Sequence, residues 1–516
     1  MDGRNNLIRR FGCAILLLVL IFSACQSEQD ELYSQAVEDQ KSAVSAAPTA
    51  EPGDGEASEM PQSEDSLAGE LTIRVGVQRS MYEITALTME FMKLHPGVTV
   101  TIDADYSITQ WSGLSSAEQR MNQESFRSQL RTEIASGEAD YLIFDFTDEL
   151  DLTPLSQVGA LSDMSEFWEN DPDLQEDDLF MPVIEAFQVE GKMTAIPYAF
   201  LLPTVTFSQH VIDDAGIDLT GVHTVGVTQL LDWYDQAREL KPELNLIFTS
   251  WSKDTLFAYE RPDYIDLANE TCDFDSPEFV EFLERTKGVN AEDPDLGENE
   301  LAMGDIGFAP YWEEYWETGE VPLELVYTDI DQFTNIATKA REWFCVPQHE
   351  IFLTSFTLQQ PLERVTRPYA LTSTEGKLVL DAWEVFAMPS SMKDKELGWE
   401  FIKYCLSTRE EPTCGSELYT YGIPVNKENY RKAAEHVSTG GTYPDYSMGY
   451  PQSYPGLDPD ATVEEMEAML SVNTVYAGAY NVDVQEYLDE YYVNGLITAE
   501  ECAKKIQDRT YMWLSE

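Results

Sequence analysis

The chain has 516 residues and carries 94 Asp and Glu against 32 Lys and Arg, a formal net charge of −62. That length is enough for two or three domains of about 150 residues each. So acidic a surface repels phosphate backbones and offers anionic lipid no polybasic hold, which argues against nucleic acid as a partner and for a soluble, monomeric body.

The N-terminus opens on a basic stub with Arg4, Arg9 and Arg10. A 12-residue apolar run from Phe11 to Phe22 follows, and the small residues Ser23 and Ala24 precede Cys25. That order is the order of an export signal. The run is shorter than the roughly 20 residues a membrane-spanning helix needs. The segment resembles the lipobox of bacterial lipoproteins, which implies removal of residues 1–24 and lipid on the Cys25 thiol. An ordinary signal peptide with an incidental cysteine is the alternative. Residues 26–68 hold 11 acids and one lysine among Ser, Ala, Pro and Gly. That composition cannot bury a core, so 25–68 reads as an acidic, disordered tether.

Regular structure is predicted from Leu71. "LTIRVGV" alternates apolar residues at 71, 73, 75 and 77, a strand pattern. "EITALTMEFMKLHPG" places Ile84, Leu87, Phe91 and Leu94 on one helical face and stops at Pro96-Gly97. "VTVTI" alternates again; Phe126, Leu130 and Ile134 mark a helix ended by Gly137, and "YLIFDF" (141–146) is the continuous apolar run of a doubly covered strand. Strand, helix, strand, helix, strand predicts an α/β lobe with parallel pairing. Further helices are read at "VTQLLDWYDQAREL", at "FDSPEFVEFLERTK" with Ser276 as N-cap and Pro277 at the first helical position, and at "DKELGWEFIKYCL" with Leu397, Phe401 and Cys405 four apart. Thr498 and Glu501 form a capping box for the terminal helix, and 440–456 is a Gly/Pro/Tyr-rich loop.

Five cysteines remain after Cys13 and Cys25, without CxxC spacing, so neither a disulfide framework nor a zinc site is expected. A Cys405–Cys414 bridge is the one pairing considered, against buried thiols. His349-Glu350 begins the metalloprotease motif HExxH, but Leu353 stands where the second histidine belongs. No cofactor and no metal are expected.

Several segments resemble the extracellular solute-binding proteins of bacterial ABC importers, the sugar-binding-like family 1. They are "LTIRVGV…MEFMKLHPGVTVTID", "FRSQLRTEIASGEADYLIFDF", "GALSDMSEFWENDPD", "GKMTAIPYAFLLPTVTFSQHVIDDAGID", "CDFDSPEFVEFLERTK", "FAMPSSMKDKELGWEFIKYCLS", "YGIPVNK" and the closing "YYVNGLITAEECAKKIQDRTYMWLSE", in the family's order over roughly 70–516. The resemblance implies an α/β, two-lobed, periplasmic-binding-protein-like fold with a hinged interlobe cleft, "AIPY" carrying the chain into the second lobe. It implies lobe 1 from 69–198 with about 387–440, and lobe 2 from 199–386 with about 441–516. It implies a surface-anchored binding component on the extracytoplasmic face of the cell membrane that captures a sugar, an oligosaccharide or a similar small polar solute by lobe closure and hands it to ABC permease subunits, with a peptide, amino-sugar or metal-chelate ligand left open.

A sensory or adhesive binding lipoprotein is the second reading, and a surface glycoside hydrolase the third. The hydrolase would need two cleft carboxyls about 5–9 Å apart. Among 94 acids a chance pair says little, and neither GxSxG nor Walker A is present. A sugar site needs aromatic plates for C–H faces and polar side chains for hydroxyl edges. Open α/β sheets bind outside the carboxyl ends of strands, which selects Tyr82 after the first strand, Asp145 and Thr147 at the end of "YLIFDF", and Trp251 after "LIFTS". Tyr198 and Phe200 lie at the crossover, Tyr311 and Trp312 just past a strand-like run, and Trp383 before the next crossover. Plain packing competes with a ligand contact for each.

Overall fold

The computed structural model describes residues 67–75, 81–103, 116–145, 152–247, 255–287, 343–350, 366–409, 422–438, 443–444, 451–452 and 458–515. The first lobe starts with β1 (Ala68–Val75), α1 (Met81–Leu94), β2 (Gly97–Asp103), α2 (Ser116–Ser136) and β3 (Leu142–Asp145). β1 pairs in parallel with β2 on one side and β3 on the other, as the strand–helix–strand order predicts. Leu71, Ile73 and Val75 point into the core. α1 buries Ile84, Leu87 and Phe91, but Leu94 is 62% exposed. It is the last residue of the helix, and the His95 ring, 4.6 Å from that of Phe91, lies over the core edge instead. α2 buries Phe126, Leu130 and Ile134 and ends at Gly137, whose φ of 72° is costly for any side chain with a Cβ.

The chain then enters β4 (Ala195–Phe207), buried along its whole length. Downstream come α3 (Val227–Leu240), α4 (Pro277–Lys287), β5 (Trp343–Glu350), β6 (Tyr369–Thr372) and β7 (Lys377–Ala387). They are followed by α5 (Lys395–Leu406), α6 (Lys427–Ser438), α7 (Pro459–Leu470), β8 (Asn473–Tyr476) and α8 (Ala499–Ser515). The main sheet runs β2, β1, β3, β7, β4, β6 and the short strand Thr224–Gly226. β7 is antiparallel to both β3 and β4, β5 lies antiparallel on β4, and β8 lies parallel on the start of β7. Parallel pairing thus holds in the opening lobe, and the crossing strands are mixed because the chain traverses them in both directions.

Two separate hydrophobic cores give the two lobes. The first gathers Ile73, Phe91, Phe144, Phe386, Phe401 and Tyr430; the second gathers Phe207, Leu230, Phe279, Phe344, Tyr491 and Ile506. β4 leaves the first core at Leu202 and enters the second at Val205; β7 runs from Val379 in the second to Val385 in the first. At the junction, successive side chains serve opposite cores, since a strand alternates its faces. Leu378 and Leu380 belong to the first core and Val379 to the second; Tyr476 of β8 belongs to the first while Val475 packs on the second. α7 sits in the first core through Met466, Met469 and Leu470, within the stretch 441–516 assigned from sequence to the second lobe.

Local signals are realised in detail. Ser276 Oγ accepts from the Phe279 N–H at 3.4 Å. The Thr498 N–H donates to Glu501 Oε2 at 2.9 Å while the Glu501 N–H donates to Thr498 Oγ1 at 3.2 Å, a complete capping box. Leu397, Phe401 and Cys405 line the inner face of α5, and Cys414 lies outside the described residues. His349 and Glu350 are on a strand, not the helix HExxH requires. In the Tyr-rich segment, expected as loop throughout, Tyr443–Pro444 pairs antiparallel with Pro451–Gln452.

Candidate functional site

The carboxyl end of β3 meets the crossing strands edge to edge. Asp145 pairs through its backbone with Val385 of β7, and Val385 pairs on its other side with Pro197 of β4. The backbones of Asp145, Trp383 and Tyr198 therefore occupy neighbouring positions, and Tyr82 lies in the first turn of α1, the element that follows β1. The β7–β4 register shifts between Asp381 and Glu384 and again between Glu384 and Val385, an irregularity that places Trp383 in a bulged stretch. Bulges re-aim side chains and recur beside binding sites. Thr147, Trp251, Tyr311, Trp312 and Cys25 lie outside the described residues.

Tyr198 and Phe200 turn inward, at 4% and 0% exposure. The Tyr198 ring stands 6.0 Å from Phe144 and 6.1 Å from Phe386, and Phe200 stands 6.0 Å from Phe180. These are edge-on contacts within the first core, and with so little exposure packing accounts for both rings. Gly422 lets the short strand Ile423–Pro424 lie on β4 at this point, because a Cβ there would come within 3.0 Å of Ala199 Cβ and 3.1 Å of the Phe200 carbonyl oxygen.

Two polar residues that the sequence reading passed over lie at the junction. Glu384, 1% exposed, places a carboxyl inside the crossing sheet, a position that needs hydrogen-bond partners to be tolerated. Its signal was available: in "DAWEVFA" it interrupts the apolar parity of Ala382 and Phe386. Arg409 is buried past the end of α5, its Nη2 donating to Tyr198 Oη at 3.4 Å and its backbone N–H to Asn429 Oδ1 at 3.1 Å. Nothing in "STREEPT" marks that arginine as interior.

A second polar cluster holds the turn from β6 to β7. Glu260 Oε2 accepts from the Thr374 N–H at 2.9 Å, and Asp263 accepts from Ser373 Oγ at 2.8 Å and from the Glu375 N–H at 2.7 Å. Lys377 Nζ sits 3.4 Å from Asp263 and donates to the Pro262 carbonyl at 2.7 Å. Burial pushes the Glu260 carboxyl up to about 7; the Thr374 hydrogen bonds pull against that shift, and the charges of Asp263 and Glu375 add to it. Among the described residues no group of three or more His, Cys, Asp or Glu could hold a metal ion. No helix among them is long and apolar enough to cross a membrane.

No protein-family model matches the sequence, and no curated protein matches it. Solved structures do match. A family 1 extracellular solute-binding protein from Alicyclobacillus acidocaldarius is 13% identical with a TM-score of 0.52, over 88% of this chain and 100% of that one. A periplasmic oligogalacturonide binding protein from Yersinia enterocolitica is 16% identical with a TM-score of 0.51, over 87% and 99%. A sugar transporter from Rhizobium etli in an open conformation is 13% identical with a TM-score of 0.50, over 86% and 99%. At such identities the likeness is one of fold. The chain carries the two-lobed, periplasmic-binding-protein-like α/β fold of these extracellular solute-binding proteins.

Proposed function

We propose that this protein is the surface-anchored binding component of an ABC importer. It captures a sugar or oligosaccharide between its lobes and delivers it to a permease, and it is not an enzyme. The observation that carries the reading is the division into two hydrophobic cores joined by crossing strands, among them β4, β7 and β8. Such a junction permits rotation of one core against the other, and a ligand that binds the closed form better drives closure by that difference in affinity. We assign lobe 1 to 69–198, about 387–440 and the α7–β8 stretch 458–476, and lobe 2 to about 199–386 and 477–516. Tyr82, Asp145, Thr147, Trp251, Tyr311, Trp312 and Trp383 are proposed for the ligand, and Tyr198 and Phe200 as packing behind it. Cys25 is proposed as the lipid attachment point, with residues 25–68 as the tether that keeps loaded protein near the permease.

The test is a thermal-shift screen of the purified protein against mono- and oligosaccharides, with peptides as the contrasting class. A cognate sugar at 100 times its Kd adds about 2.7 kcal/mol to stability. A screen in which only peptides raise the melting temperature overturns the carbohydrate assignment.

A further inference from the structure

Glu465 projects from α7 of the first lobe to two basic side chains of the second. α7 is anchored in the first core by Met466, Met469 and Leu470, and Lys427 of α6 reaches its Glu467 at 2.8 Å. On the other side, Arg367 precedes β6 and His223 precedes the strand Thr224–Gly226; Tyr369, Leu371 and Val225 of these strands lie in the second core, while Ala370 of β6 faces the first. Glu465 Oε1 accepts from Arg367 Nη1 and lies 3.0 Å from His223 Nδ1. The two bases are fixed to one another: Arg367 Nη2 donates to the Val222 carbonyl, its guanidinium lies 4.7 Å over the Tyr369 ring, and the His223 carbonyl accepts from the Ala370 N–H at 3.0 Å.

This is a built contact and not a chance surface pair. The three side chains are 22–39% exposed, one carboxylate oxygen serves two donors, and the partners are 98 and 242 positions apart. It also stands beside a crossing segment, since α7 ends only two residues before β8. Rotation of the lobes moves α7 relative to β6, and the side chains that join them must release.

We infer that Glu465, Arg367 and His223 form an interlobe ionic latch that favours the lobe arrangement described here over the rotated one. The inference rests on the proposed lobe rotation and adds the residues that set its resting balance. Removing the latch frees the lobes without touching a proposed ligand residue. Charge-assisted hydrogen bonds of this kind bias such a balance by roughly tenfold.

The experiment measures interlobe distance in the ligand-free, full-length protein by pulsed electron spin resonance. Labels go in by non-thiol chemistry at the exposed positions of Glu169 in the first lobe and Glu239 in the second. Glu465→Gln, nearly isosteric and neutral, and Arg367→Glu should each move population to a second distance by roughly tenfold. The exchange Glu465→Arg with Arg367→Glu should restore the wild-type distribution. Should Arg367→Glu fail to fold, Glu465→Gln alone carries the test. A folded Glu465→Gln protein with an unchanged distribution overturns the latch, as does a shift that the exchange does not reverse. If a sugar from the screen moves the wild type while Glu465→Gln does not, the latch falls and lobe closure stands. If neither sugar nor variant moves any distance, both fall.

Discussion

Replacing Glu260 by Gln should make the protein more stable above neutral pH and leave it little changed in mild acid. Glu260 is 2% exposed and takes the Thr374 N–H at the turn that joins two strands of the lobe junction. Its carboxyl is raised from 4.5 to about 7. Below about pH 4.5 it is protonated folded or unfolded, and its favourable contribution is complete. As pH rises towards 7 the unfolded chain ionises first, and that contribution is lost. At about 1.36 kcal/mol per unit the full loss is about 3 kcal/mol, of which 2–3 falls between pH 5 and pH 8. Gln keeps an oxygen for the Thr374 N–H and cannot ionise, so it never carries the charge that burial, Asp263 and Glu375 oppose. Urea unfolding of both proteins at pH 5, 6, 7 and 8 should show a gap that opens with pH by that amount. Carboxylates held low, such as Asp163 and Asp171, lose their share only in stronger acid and cancel in the comparison. Parallel curves with a constant gap would refute the argument.

Thr498→Ala breaks one arm of the capping box on α8 and should cost about 0.5–2 kcal/mol in the same unfolding assay; an unchanged midpoint would mean the end of that helix adds nothing to the second core. Metabolic labelling with a fatty-acid analogue should mark the wild type and fail for Cys25→Ala, and equal labelling of both would remove the lipid anchor from the proposal.

The opening lobe was readable because its signals are local. Alternation in β1 and β2 and four-residue spacing in α2 and α5 name their own buried faces, and Leu94 escaped only because periodicity does not say where a helix outruns its cover. β4 was readable as a crossover but not in its facing. Tyr198, Phe200 and Leu202 feed the first core while Val205 and Phe207 feed the second. A strand apolar on both faces does not show which parity belongs to which core, so two aromatics that looked available to ligand are interior.

The polar side of the junction was hidden for a different reason. With 94 acids in the chain, any one Glu is uninformative until burial singles it out, as it does for Glu384 and Glu260. The scarce residues carry more. There are only 32 Lys and Arg, and a molecule this acidic gains most by spreading them over its surface to relieve repulsion. Several are instead drawn inward. Arg74 is held by Asp103, Glu133 and Tyr141 between the first sheet and α2. Arg409 is held beneath Tyr198, and Arg367 against Glu465 where the two cores meet. Each pairs with a residue at least 29 positions away, beyond the reach of any helical or strand period. Withdrawing a cation from a surface that needs it costs electrostatic relief, and the return is a fixed contact between distant elements. In so acidic a chain, an inward-facing arginine therefore marks a junction that the fold must hold in register, and two of these three lie at or beside the strands about which the lobes would turn.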